Sequence, residues 1–282
     1  MIEVLDPGLL TLVQDLGRPG WAHIGVGRSG AADAGALRLA NRLVANDEGA
    51  AGLEVLLGGL RLRAVGPLTI AVTGAPGPAW VDGTAVGRNA VLELADGAEL
   101  HVGPSARGLR AYVAVRGGIA VPSVLGSRST DQLAGLGPAP LAVGDLLPVG
   151  PAPAEWPLLD VAPTAPWPDE VILPVMAGPH ADWFDDGLTV LLDPAGYTVT
   201  PATNRVAVRL SGAPVVRTWR GGELPSEGLV PGAVQIPPDG QPVVFGVDHP
   251  VTGGYPVIAV VRGRALDLLA QVRPGDRVRL HG

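Results

Sequence analysis

The sequence predicts a mainly β protein with few short helices. Its 41 glycines and 29 prolines make up 70 of 282 residues, a composition suited to many short strands joined by tight turns. Short apolar runs recur between Gly, Pro or Asp-Gly steps along most of the chain. Only residues 34–45 show a clear helical pattern, with Leu37, Ala40, Leu43 and Val44 on one face and Asp33 placed as the N-cap.

Taken in order, residues 2–5 and 10–13 read as strands around the Asp6-Pro7-Gly8 turn. A polar, turn-rich loop over residues 14–20 leads towards the helix, and residues 53–57 follow as a strand. From residue 61 to 115 the pattern is all β, with Asp82-Gly83 and Asp96-Gly97 as hairpin signals. Residues 148–168 hold seven prolines in 21 positions and read as a stiff linker. That places one domain at residues 1–147 and another at 169–282. In the second half, strands are expected at residues 171–175, 189–192, 205–210, 257–261 and 277–280, with a short helix at 265–270. Tyr112-Val113-Ala114-Val115-Arg116-Gly117 is echoed by Val257-Ile258-Ala259-Val260-Val261-Arg262-Gly263, as two copies of one β-barrel-like unit would produce.

Composition removes several classes of function. There is no cysteine, which excludes disulfides, thiolate nucleophiles and Cys-ligated metals. All 20 basic residues are arginine, which excludes a Schiff-base lysine and a P-loop. A net charge of −7 without a basic run speaks against nucleic-acid binding. No run approaches the roughly 18 apolar residues of a membrane span, and residues 1–10 contain Glu3 and Asp6 where a signal peptide would be apolar. A cytoplasmic protein is expected. The five histidines show no metal-ligand spacing, and no metal site is expected.

Gly25-Val26-Gly27-Arg28-Ser29-Gly30 spells a G-x-G-x-x-G motif, but the segment before it is polar and no βαβ repeat surrounds it. A glycine-rich loop at a helix N-terminus, which favours an anion, fits better. Glu54 interrupts an apolar strand and needs a partner such as an arginine, whether for structure or for function. Arg205 and Arg209 are expected on one face of a strand, where they would bind a carboxylate or phosphate or form a surface pair. Residues 226–256 concentrate the rest: Glu227, Gln235, Asp239, Asp248, His249, Thr252 and Tyr255 among three Gly- or Pro-marked turns. Glu227 and Asp248 are the general-base candidates, with Gln235 and the Gly253-Gly254 backbone as donors to a polarised carbonyl oxygen. His249 is either a solvated loop histidine or a functional one.

Several ordered blocks carry a resemblance. They are Thr11-Leu12-Val13-Gln14-Asp15-Leu16-Gly17-Arg18, Ser29-Gly30-Ala31-Ala32-Asp33, Gly126-Ser127-Arg128-Ser129-Thr130, Ser226-Glu227-Gly228, Gln235-Ile236-Pro237-Pro238-Asp239-Gly240 and Thr252-Gly253-Gly254-Tyr255-Pro256. Nearly end to end, the chain is similar to the biotin-dependent carboxyltransferase-like group. That group includes the C subunit of bacterial ATP-dependent 5-oxoprolinase, the so-called allophanate hydrolase subunit 2 and an antagonist of a sporulation-kinase inhibitor. The resemblance implies two tandem cyclophilin-like β-barrel domains. It also implies two partners, a B subunit that binds this chain directly and a further A subunit. The three together would open 5-oxoproline to L-glutamate using ATP. Two other activities follow from the same group: a biotin-dependent carboxyltransferase acting on urea or a related amide, or a non-catalytic regulator of a kinase inhibitor similar to the B subunit. In this frame Glu227 and Asp248 are catalytic. Arg209 and Arg205 recognise a carboxylate, Gln235, Thr252, Gly253, Gly254 and Tyr255 bind substrate, and Gln14, Asp15, Arg18 and Asn41 line a facing wall. The chain departs from the group's D-x-Q-T-T-G-G-Y-P at Asp248-His249-Pro250-Val251-Thr252, and from its N-R-M-G-Y-R-L at residues 204–210.

Overall fold

The computed structural model describes residues 1–164, 166–218, 222 and 224–282. The chain divides into two compact units, one of residues 1–18 and 29–167 and one of residues 19–28 and 168–282. Residues 148–164 and 166–167, most of the expected linker, therefore belong to the first unit, and residue 165 of that linker lies outside the described residues. Isolated bridges from Val149 to Ile119 and from Val161 to Ala90 tie it there.

The first unit runs β1 (Ile2–Pro7), β2 (Leu10–Gln14), α1 (Ala34–Leu43), β3 (Gly52–Leu56), β4 (Leu60–Ala64), β5 (Leu68–Gly74), β6 (Ala79–Val81), β7 (Thr84–Val86), β8 (Val91–Leu94), β9 (Glu99–Val102), β10 (Arg110–Val115) and β11 (Leu146–Leu147). Its strands form a six-stranded sheet, β11-β1-β4-β9-β6-β7, and a five-stranded sheet, β2-β3-β10-β5-β8. Val4, Leu62 and Leu100 of the first sheet and Leu53, Val72 and Val113 of the second share one core cluster. On β10 the period of two sends Ala111, Val113 and Val115 into that core, while Tyr112 and Ala114 pack with residues of α1. Ala71 and Ala114 are small enough for the Ala40, Leu43 and Val44 stripe to lie against them. The helix begins where Asp33 accepts a hydrogen bond from Ala36 N at 2.8 Å.

The Asp82-Gly83 turn does join paired strands, with Val81 opposite Thr84. Asp96-Gly97 does not. It connects β8, which pairs with β5, to β9, which pairs with β4 and β6. Gly66 N donates to Asp96 Oδ1 at 2.7 Å and Gly97 N to Ala64 O at 2.9 Å, so a third segment holds this turn and it passes between sheets.

The second unit contains β12 (Val171–Ala177), α2 (Gly187–Leu191), β13 (Tyr197–Val199), β14 (Ala207–Ser211), β15 (Glu227–Gly228), β16 (Ala233–Gln235), β17 (Val243–Phe245), β18 (Thr252–Gly253), β19 (Val257–Val261), α3 (Ala265–Leu269) and β20 (Arg277–His281). Seven of the strands close a barrel in the order β12-β19-β16-β17-β14-β13-β20, and β15 and β18 form a separate ribbon. Leu173, Val234, Val244, Ile258 and Leu280 fill the barrel core. The expected strand at residues 189–192 is instead part of α2. Val190 N bonds Asp186 O, Leu192 N bonds Leu188 O, and Leu191 is buried in the core cluster. A run as short as Thr189-Val190-Leu191-Leu192 fits either state by pattern alone, and here burial of Leu191 decides it.

Candidate functional site

The strand pair β15–β18 brings Ser-Glu-Gly and Thr-Gly-Gly together, with Glu227 opposite Gly253 and Gly228 opposite Thr252. Beneath the pair, β16 presents Gln235 from the barrel wall, and Gln235 Nε2 donates to Tyr255 O at 2.8 Å. Gly253 lies so close to this amide that a Cβ would stand 2.7 Å from Gln235 Nε2 and 2.7 Å from Leu229 Cδ1. A side chain there would push the Gln235 amide or the Leu229 methyl aside. A cavity of about 220 Å³ opens between these parts, walled by Glu227, Gln235, Gly253, Tyr255 and the apolar Leu229 and Val257. A second, wider groove of about 790 Å³ shares Tyr255 and Leu224 with it and is walled by Pro237, Pro238, Gly254 and Arg217. The Pro237–Gly240 turn that shapes the groove is closed by Gly240 N donating to Pro237 O at 2.9 Å.

Glu227, Gln235, Gly253 and Tyr255 line the inner cavity and Gly254 and Tyr255 the groove, while Thr252 is exposed on β18 without lining either. Gln235 is already held by one hydrogen bond. One N–H of its amide donates to Tyr255 O, which leaves the second N–H as a donor and the carbonyl Oε1 as an acceptor for a ligand. The cavity therefore offers the Glu227 carboxylate as an acceptor and the Gln235 amide as either donor or acceptor.

One residue of this site carries no signal in the sequence. His180 sits in the turn between β12 and a 3₁₀ turn, Ala181–Trp183, and its Nε2 is 3.4 Å from Glu227 Oε2. Its Nδ1 accepts from Val257 N at 3.1 Å, and Trp183 meets its ring edge-on at 4.9 Å. The preceding Gly178-Pro179 marks a turn, but nothing in it announces a partner for Glu227.

Asp248 is placed differently from a general base. Arg205 Nε donates to its Oδ2 at 2.8 Å and Nη2 to its Oδ1 at 3.2 Å, and both side chains are buried. Arg205 does not share a strand face with Arg209, because β14 begins only at Ala207. Before it, Asn204 Oδ1 accepts from Val206 N at 2.8 Å and Ala207 N at 3.2 Å, a side-chain turn that interrupts the alternation. Arg209 is exposed on β14, and neither arginine lines the cavities. His249 Nδ1 contacts the carbonyl of Pro250 at 2.7 Å.

The four residues expected to line a facing wall are buried anchors of the first unit. Asp15 Oδ1 accepts from Ser127 Oγ at 2.6 Å, Ser129 Oγ at 2.6 Å and Gly17 N at 2.8 Å, while Oδ2 accepts from Arg128 N at 2.6 Å. Arg18 donates to Ser129 O and lies 3.6 Å from Asp131, and Gln14 Nε2 donates to Thr130 O at 2.9 Å. Together they pin residues 127–131. Asn41 bonds Ala50 O at 2.8 Å and Glu48 O at 3.2 Å, fastening the loop after α1. The anion at the entrance of α1 is the chain's own Glu54. Its Oε2 accepts from Ala32 N at 2.9 Å and Tyr112 OH at 2.8 Å, and Arg110 Nε is 3.3 Å from Oε1. Burial, followed by the nearby Glu54 charge, pushes the Tyr112 hydroxyl well above its ordinary pKa.

Residues 24–282 match the family described as carboxyltransferase domain, subdomain A and B. The chain is 36% identical over 281 residues to the C subunit of 5-oxoprolinase from Escherichia coli, covering 99% of this chain and 90% of that protein. It is 34% identical to urea amidolyase of Lachancea kluyveri over 98% of its length, but spans only 16% of that protein. Among solved structures, TTHA0988 superposes with a TM-score of 0.91 at 36% identity, over 100% of this chain and 56% of that one. Urea carboxylase of Kluyveromyces lactis superposes with a TM-score of 0.92 at 32% identity, over 99% of this chain and 27% of that one. With a matched region this long and relatives this similar, the chain belongs to the carboxyltransferase domain family, subdomain A and B.

Proposed function

We propose that this chain is the C subunit of an ATP-dependent 5-oxoprolinase, opening 5-oxoproline to L-glutamate in the cytoplasm with its A and B partners. The observation that carries this reading is the cavity under the β15–β18 ribbon, walled by the Glu227 carboxylate and the Gln235 amide. A lactam offers one N–H donor to such a site. In the hydrolysis, water adds to the lactam carbonyl carbon and the ring C–N bond breaks. Glu227 takes the proton from the attacking water and delivers it to the departing nitrogen. ATP supplies the driving force of the overall reaction. Among the described residues Arg217 is the one cation lining either cavity, which favours ATP being held elsewhere in the complex. Arg217, in the wider groove, is the group within the site's surroundings that suits the substrate carboxylate.

A second reading, carboxyl transfer to urea or a related amide, is supported by similarity to urea amidolyase and urea carboxylase across nearly the whole chain. Urea has no carboxylate and presents only N–H donors and a carbonyl, which suits an inner cavity whose described walls carry no cation. Biotin, when bound, would supply the carboxyl group, and its ureido N–H is a donor of the kind the Glu227 carboxylate takes.

The deciding experiment reconstitutes the chain with its A and B partners and follows 5-oxoproline-dependent ATP hydrolysis and glutamate release. Turnover that vanishes when this chain is omitted supports the first reading. Turnover only with urea and a biotinylated carrier protein replaces it with the second.

A further inference from the structure

We propose that His180 is the positioning residue for Glu227, holding one carboxylate oxygen so that the other faces the cavity. The inference rests on the reading of Glu227 as the base.

His180 is only 7% exposed and is fixed from several sides. Its backbone N donates to Val257 O at 3.1 Å while its ring Nδ1 accepts from Val257 N at 3.1 Å, so main chain and side chain grip the same residue of β19. Trp183 closes against the ring at 4.9 Å. An Nδ1 that accepts a backbone hydrogen bond carries no proton, so the neutral ring carries its proton on Nε2. That N–H is the group 3.4 Å from Glu227 Oε2.

Glu227 itself has little else to hold it. Its side chain is 50% exposed and its strand is two residues long, paired only with β18. Its Oε1 has no hydrogen-bond partner among the described residues. A glutamate on so short a ribbon samples several rotamers, and ordering it at the moment of reaction would cost entropy. A rigid N–H 3.4 Å from one oxygen, at ion-pair distance, favours that rotamer beforehand, which is the preorganisation that base catalysis needs. Val257, the residue that fixes the imidazole, also lines the cavity, so one strand residue sets both the wall and the donor.

The test has two arms. In the first, NMR of the full chain labelled with ¹⁵N-histidine reads the tautomer directly. His180 is expected as the Nε2–H form, with its Nε2 resonance moved by Glu227→Ala. An Nδ1–H tautomer, or indifference to Glu227→Ala, overturns the proposal whatever the activity of the complex. In the second arm, the reconstituted complex carrying His180→Ala is expected to lose about a hundredfold in kcat with KM little changed. His180→Gln, which keeps an N–H donor, is expected to regain most of it. Because His180 acts through Glu227, His180→Ala combined with Glu227→Asp is expected to be no slower than Glu227→Asp alone. Losses that multiply, or a fully active His180→Ala, overturn it. A fully active Glu227→Gln instead removes the base assignment, and the NMR arm separates that failure from this one.

Discussion

Arg205 grips Asp248 through two parallel hydrogen bonds, Nε to Oδ2 at 2.8 Å and Nη2 to Oδ1 at 3.2 Å, with both side chains withdrawn from solvent. Their attraction does not by itself argue for stability, since desolvating two charges offsets much of it. Removing one partner does have a definite consequence. Asp248→Ala would take two charge-assisted hydrogen bonds from a buried guanidinium and is expected to cost on the order of 3 kcal/mol of stability. Denaturant midpoints of the two proteins measure this. A variant that unfolds at the wild-type midpoint yet has lost turnover would return Asp248 to the chemistry.

Glu227 should behave in the opposite way. Half exposed on its ribbon, it contributes little to the fold, so Glu227→Gln is expected to leave the melting temperature within experimental scatter. Turnover of the reconstituted complex is expected to fall about 10²–10⁴-fold. Unchanged turnover would dismiss Glu227 as the base.

Gly253→Ala tests the cavity itself. The added Cβ meets Gln235 Nε2 and Leu229 Cδ1, both at 2.7 Å, so the Gln235 amide must move or the ribbon must lift. A several-fold rise in KM, larger than any change in melting temperature, is the expected result. An unaltered KM would place substrate elsewhere.

Tyr112 links three parts of the first unit, accepting from Asp33 N at 2.8 Å and donating to Glu54 Oε2 at 2.8 Å. Tyr112→Phe strips one partner from each and is expected to cost about 1–3 kcal/mol, read from thermal or chemical unfolding of the chain.

Alkaline pH offers a further check. Burial raises the pKa of Tyr112 well above the usual tyrosine value and that of Tyr197 to about 12. Each hydroxyl keeps its proton in the folded state after it would lose it in the unfolded chain. The stability they contribute is present below pH of about 10 and is lost as pH climbs towards 12. Absorbance of tyrosinate should therefore rise together with unfolding for these two rings. Ionisation at the ordinary tyrosine pKa while the chain stays folded would contradict their burial.

Much of this is legible in local pattern. The β class, the Asp33 cap, the Asp82-Gly83 hairpin and the need of Glu54 for an arginine all depend on neighbours in sequence or on a simple burial argument, and they agree with the structure. Relations across long separations are less legible. Asp248 reads as a loop carboxylate until Arg205, distant in the chain, is seen beside it. Gln14, Asp15 and Arg18 read as site residues because they are polar and clustered, yet they serve a loop more than a hundred residues away. His180 reads as unattached because its two partners, Glu227 and Val257, lie on different later strands.

The ring of seven strands closes where β20 inserts between β12 and β13, pairing in parallel with the first, Val171 opposite Val278, and antiparallel with the second, Tyr197 opposite Val278. Since β20 follows every other barrel strand in order, the ring stays open until it docks, and β12 and β13 meanwhile show bare edges to other molecules. Parallel closure across so long a span is slow. The protein's exposure to self-association is thus concentrated in one late step. Substitutions in residues 277–281 should be felt first as loss of soluble yield.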